Sequence, residues 1–127
     1  MQRFTELRVW QRSHALVVTL YRATTRFPVE ERYGLTSQLR RAVLSVPTNI
    51  AEGSKRVSRQ DYARFLNVAE GSLAETEYLL MVARDLGYLA PKETETHLKE
   101  LTEIASMLNS LRAKVAPRQK ALLSVNS

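Results

Sequence analysis

A chain of 127 residues, 44% hydrophobic and with only four Gly and four Pro, has the material for one compact domain with one core. It has no cysteine, which excludes disulfides and thiolate metal sites and makes a cytoplasmic protein the expectation. Met1-Gln2-Arg3-Phe4-Thr5-Glu6 lacks the apolar stretch of a signal peptide, and no run approaches the roughly 18 apolar residues of a membrane span, so neither export nor insertion is expected.

Four helical segments follow one another, broken near Phe27-Pro28, between Gly53 and Ser58, and between Gly87 and Pro91, with no competing strand pattern. The expected architecture is all-α, an antiparallel up-and-down four-helix bundle over residues 1–116 with a short tail over 117–127. In the first helix, predicted over Leu7 to Arg26, Leu7, Trp10, His14, Val17 and Tyr21 recur at helical spacing, and Val9, Leu16, Leu20 and Ala23 form a second apolar stripe beside them. Together they cover more of the circumference than one core requires, and a subunit interface is a natural use for the surplus. Trp10 and Tyr21 can also stack on bases, although their place on the apolar stripe favours packing.

The remaining arc of this helix holds Arg8, Arg12, Arg22 and Arg26 within about 80° of one another. Gln11, Ala15 and Thr19 complete a face without an acidic residue, and residues 1–26 hold five Arg against one Glu, out of a net charge of +6 for the whole chain. Two readings stay open: a phosphate-binding stripe, or a solvated face whose arginines pair with carboxylates of other helices.

The second helix, predicted over Leu35 to Glu52, turns Leu35, Leu39, Ala42, Val43, Val46 and Ile50 to one side. Pro47 lies inside it, where a proline removes a backbone donor, crowds the carbonyl of Val43 and costs about 3 kcal/mol, so a kink held by tertiary contacts is expected. Asn49 is positioned to satisfy the loosened backbone, and Gly53 fits a helix C-terminus. Arg40 and Arg41 either contact nucleic acid or pair with glutamates of neighbouring helices or subunits.

The third helix, predicted over Arg59 to Leu86, has Ser58 as N-cap, Asp61 in a capping-box position and Gly87 as its stop. Two overlapping seams run along it: Phe65, Ala69, Ser72, Thr76, Leu79, Ala83, Leu86, and Tyr62, Leu66, Ala69, Leu73, Thr76, Leu80, Ala83. Lys55, Arg56, Arg59 and Arg64 cluster around the turn before it, where basic side chains can reach phosphates. The fourth helix starts at Pro91 and repeats His97, Leu101, Ile104, Leu108, Leu111 and Val115. Beyond Pro117 the short basic and polar tail is expected to be loosely held, with Leu122 and Leu123 as its candidates for docking on a neighbour.

Catalytic readings find little to rest on. A ferritin-like di-metal centre needs Glu-x-x-His pairs, and Gln11 and Thr94 precede His14 and His97 by three; both histidines are expected to be partly buried and hydrogen-bonded. A helical pyrophosphohydrolase needs paired acidic motifs for magnesium, and only Glu100-Leu101-Thr102-Glu103 qualifies, on what reads as an outward, solvated face. No Gly-rich phosphate loop is present. No enzyme, cofactor or metal site is expected.

The motifs Leu7-Arg8-Val9-Trp10-Gln11, Phe27-Pro28, Glu31, Tyr33-Gly34-Leu35, Gln38-Leu39-Arg40-Arg41, Pro47, Asn49-Ile50-Ala51-Glu52-Gly53, Phe65-Leu66, Ala69, Gly71-Ser72-Leu73, Glu75 and Leu86-Gly87-Tyr88-Leu89 span the chain to the end of the third helix. In them the chain resembles the small four-helix-bundle proteins encoded in intervening sequences of bacterial 23S ribosomal RNA genes. Val43, Leu44 and Val46 depart modestly from the pattern, a matter of packing rather than function. The resemblance implies a homopentameric ring without enzymatic activity. It extends to the accessory proteins of diversity-generating retroelements, which bind reverse transcriptase and nucleic acid. The expectation is therefore a homo-oligomeric accessory protein binding RNA, DNA or a ribonucleoprotein through its basic faces. The alternative is an oligomeric scaffold for a protein partner.

Overall fold

The computed structural model describes residues 3–117. Four helices make up the fold, α1 (Arg8–Thr24), α2 (Leu35–Ser54), α3 (Arg59–Asp85) and α4 (Pro91–Val115), with 3₁₀ turns at Phe4–Glu6 and Val29–Glu31. Each helix packs on its neighbours in sequence and α4 closes on α1, while the backbones of the diagonal pairs α1–α3 and α2–α4 stay farther apart. With connections this short, that pattern is an antiparallel up-and-down four-helix bundle. The tail from residue 118, with Leu122 and Leu123, lies outside the described residues.

The three-and-four spacings converge on one axis. Leu20, Leu39, Val43, Ile50, Leu66, Leu80, Ile104 and Leu108 are fully buried, and each large aliphatic side chain so removed from water contributes about 1.5–3 kcal/mol. On α1 the inward stripe is Val9, Leu16, Leu20 and Ala23, joined by Val17. The Trp10 stripe is divided: Leu7 and Trp10 pack partly buried against the core, whereas Tyr21 is exposed, and His14, expected to be partly buried, is exposed and stacked on Trp10 with ring centroids 5.1 Å apart. Phe4 meets the other side of that indole edge-on.

Helix α2 passes through Pro47 without interruption, and Pro47 itself is buried. Asn49 does not reach the carbonyl of Val43. Its Nδ2 donates to the Ser45 carbonyl at 2.8 Å and the Ser45 hydroxyl at 2.9 Å, because a side chain on a helix reaches back one turn and Val43 lies six residues away. Gly53 is not the stop either. The helix continues to Ser54, and Gly53 is required by close approach of α3: a Cβ there would lie 2.8 Å from Phe65 Cβ and 3.0 Å from Tyr62 Cδ1.

Helix α3 starts as its sequence dictates, with the Ser58 hydroxyl accepting the Asp61 N–H at 3.0 Å. It ends in a Schellman motif: Gly87 takes φ +81°, its N–H bonds to the Arg84 carbonyl, and the Tyr88 N–H bonds to the Ala83 carbonyl. Of its two seams, Leu66, Ala69, Leu73, Thr76, Leu80 and Ala83 are buried, whereas Leu86 at the end of the other is exposed.

Candidate nucleic-acid interface

The four α1 arginines separate into two pairs. Arg12 grips Glu100 of α4 with both arms of its guanidinium, Nε to Oε2 at 2.9 Å and Nη2 to Oε1 at 2.7 Å, and Nη2 also reaches Glu103 at 2.8 Å. These hydrogen bonds raise the Arg12 pKa above its ordinary value and hold the Glu100 carboxyl below the usual carboxylate range. Arg26 does the same to Glu93, at 2.5 Å. Glu100 and Glu103 are therefore not a merely solvated face; they neutralise α1. Arg8 and Arg22 are exposed and form no ion pair among the described residues.

Arg40 pairs with no glutamate among the described residues. Its Nε donates to the Thr24 hydroxyl at 2.8 Å and Nη2 to the Tyr21 carbonyl at 3.1 Å, with the guanidinium 4.8 Å from the Tyr21 ring, so it fastens the end of α1 to α2. Arg41 is exposed on the α3 side of α2, in a polar groove with Gln38, Ser45, Ser72 and Glu75.

The turn between α2 and α3 is the richest basic region. Arg56 and Arg64 lie 4.8 and 5.1 Å from the Phe65 ring, which braces both by cation–π contact. Arg64 also meets Asp61 at 3.4 Å, an exposed pair that constrains little. Arg59 donates from Nε to the Val115 carbonyl at 3.0 Å and from Nη2 to the Lys114 carbonyl, placing a cation on the C-terminus of α4 where the helix dipole favours one. Lys55 is exposed with no partner among the described residues. Because the helices alternate in direction, Arg3 and Arg8 at the start of α1 and Lys114 at the end of α4 share this end of the bundle. Sequence reading missed Arg3 and Lys114; up-down topology with the charge at the chain's two extremities was the signal.

His97, expected to be hydrogen-bonded, is buried with its Nε2 unbonded, 3.6 Å from the Glu93 carboxylate. Among the described residues no three metal-ligating side chains converge, and no helix is long and apolar enough to cross a membrane.

Residues 5–110 match the model of the 23S rRNA-intervening sequence protein family. The chain belongs to that family. A solved member of the S23 ribosomal protein family from Bacteroides thetaiotaomicron VPI-5482, itself of unknown function, is similar at 26% identity and a TM-score of 0.74, over 82% of this chain and 97% of that one. Among curated proteins, none matches.

In this intervening-sequence family member four of the motifs, Phe27-Pro28, Glu31, Tyr33-Gly34-Leu35 and Leu86-Gly87-Tyr88-Leu89, meet at the end of the bundle away from the basic turn. Glu31 Oε1 accepts the Leu35 N–H at 3.1 Å at the start of α2, while Oε2 accepts the Tyr88 hydroxyl at 3.0 Å. That second bond raises the Tyr88 pKa above its ordinary value. Phe27 packs on the Tyr88 ring, with centroids 5.5 Å apart. Glu31, Tyr33-Gly34-Leu35 and Leu86-Gly87-Tyr88-Leu89 thus form one tie between two links, and Gly34 leaves room for it: a Cβ there would lie 2.9 Å from Glu31 Oε1.

Proposed function

We propose that this chain is a non-enzymatic, homo-oligomeric accessory protein that binds nucleic acid, or a ribonucleoprotein, through the basic end of its bundle. One observation carries the reading. Arg8, Lys55 and Lys114 face solvent at the same end as Arg56 and Arg64, and of these five only Arg64 is held in an ion pair among the described residues. Cations of this kind engage phosphates without reading base sequence.

Self-association is supported by His14 and Tyr21, ring side chains of α1 left exposed to solvent. The pentameric ring comes from the family resemblance. Such a ring multiplies one weakly binding end by five and gains avidity on a long polyanion. RNA and DNA both suit the chemistry, and a reverse transcriptase is the protein partner that the retroelement relatives suggest.

The second reading, a scaffold for a protein partner without direct nucleic-acid contact, is favoured by the occupation of Arg12, Arg26 and Arg40 inside the chain. Binding of the purified protein to structured RNA and to duplex DNA across a salt series separates the two. A complex that is tight at low salt and weakens steeply as salt rises supports the nucleic-acid reading, since phosphate contacts release counterions. Absence of binding at low salt selects the scaffold.

A further inference from the structure

The turn that joins α2 to α3 carries a residue that the fold does not use. Val57 is fully exposed, at 105% of its reference area, in a turn position where Gly, Asn, Asp or Ser is the usual choice. It lies outside the core and stands between cations, with Lys55 and Arg56 before it and Arg59 after it. Next to it in sequence, Arg56 lies over the Phe65 ring at 4.8 Å, and Arg64 joins it over the same ring at 5.1 Å. Each guanidinium is restrained at a second point, Arg56 by the Glu52 carbonyl, which accepts from Nε at 3.3 Å, and Arg64 by Asp61 at 3.4 Å. Both side chains nevertheless remain exposed.

Contact with phosphates accounts for the cations but for neither of these features. A guanidinium stacked on a ring offers its other face to a second planar group, and an exposed valine gains only where it meets an apolar surface. In a duplex the bases are paired and stacked inward, so a surface that tracks the backbone meets charge and sugar. In an unpaired strand the base faces are open, and they stack on aromatic rings and on guanidinium planes. We propose that the basic end of the bundle selects unpaired strands over duplexes, with Arg56 and Arg64 stacking on bases, Val57 covering the apolar face of a base, and Arg8, Lys55 and Lys114 holding phosphates. The assignment rests on the nucleic-acid reading above and adds the class of strand. An apolar tip among cations is also a membrane-surface composition. A lone valine is a poor anchor in lipid, however, and Phe65 lies under two guanidiniums instead of open to a bilayer.

The test titrates the full-length protein, at one low salt concentration, with a short unstructured DNA strand, the same strand made abasic, and a hairpin duplex with an equal number of phosphates. A surface that reads phosphates alone favours the duplex, whose charge density is higher. The expected result is the reverse: the intact strand binds about tenfold more tightly than either of the others, the scale of one stacked base. Arg56→Lys with Arg64→Lys keeps the charge and removes the planes, and Val57→Ser removes the apolar tip from a position that touches no core residue. Each lowers affinity for the intact strand severalfold and leaves duplex affinity and the salt slope unchanged. A duplex bound as tightly as the strand, an abasic strand bound as tightly as the intact one, or lysine variants without effect would each overturn the selection of unpaired strands while leaving the nucleic-acid surface in place. Absence of binding to all three removes that surface as well, and retention on phosphatidylserine vesicles would then assign the basic end to a membrane.

Discussion

The two ends of the bundle use polar side chains in opposite ways. At the end formed by the α1–α2 and α3–α4 links, Glu31 spends both carboxylate oxygens on its own chain, and the Schellman turn at Gly87 delivers Tyr88 to it. At the other end, Arg56 and Arg64 are braced on Phe65 while Arg8, Lys55 and Lys114 face solvent. The first end closes the chain on itself, and the second presents cations to solvent. The binding surface is sought where cations have been left without internal work.

The largest expected effect breaks this contrast directly. Arg8→Gln, Lys55→Gln and Lys114→Gln together reduce the slope of log affinity against log salt by about three, one for each phosphate contact, in the RNA and DNA titrations. Arg12→Gln with Arg26→Gln leaves that slope unchanged, because those guanidiniums are held by Glu100 and Glu93. Next comes Gly53→Leu, which drives a side chain into Phe65 and Tyr62 and costs about 1–3 kcal/mol by denaturant unfolding; it loosens the Phe65 brace and weakens nucleic-acid binding as well. At the opposite end, Glu31→Ala removes the side-chain acceptor at the start of α2 and costs about 1 kcal/mol of stability with no change in the salt slope.

The smallest effect is a pH dependence. Glu93 and Glu100 have folded pKa values below their ordinary 4.5, so the stability they contribute is present above that pH and is lost as pH falls through the lower folded values. Acid titration of the thermal midpoint reads this loss, and Arg12→Gln with Arg26→Gln flattens it.

Much of the bundle was legible because helical periodicity is a local signal. The caps Ser58 and Gly87, the start at Pro91 and the buried seam of α3 all depend on neighbours within a turn or two. What escaped was non-local. Nothing around Arg12 announces that Glu100 and Glu103 lie beside it, although Glu93, Glu100 and Glu103 sit on one edge of α4 at spacings of seven and three. The role of Gly53 depends on Phe65 from another helix, and that of Glu31 on Tyr88 from another link. The fate of each arginine was equally unreadable, since a helical projection gives its direction but not what the facing helix presents.

The closure of α4 on α1 depends heavily on charge. Its packing is thinner than that of the other adjacent helix pairs, and Arg12 and Arg26 supply ion pairs across it. Salt screens such pairs while leaving the apolar contacts of α2 with α3 intact. Of the adjacent helix pairs, α1–α4 is therefore the one whose local opening is expected to respond most to salt, with Arg40 still tying the end of α1 to α2. Amide hydrogen exchange in α1 accelerates with salt before that of α3 does, and any assembly that clasps α1 from outside acts as a brake on that opening.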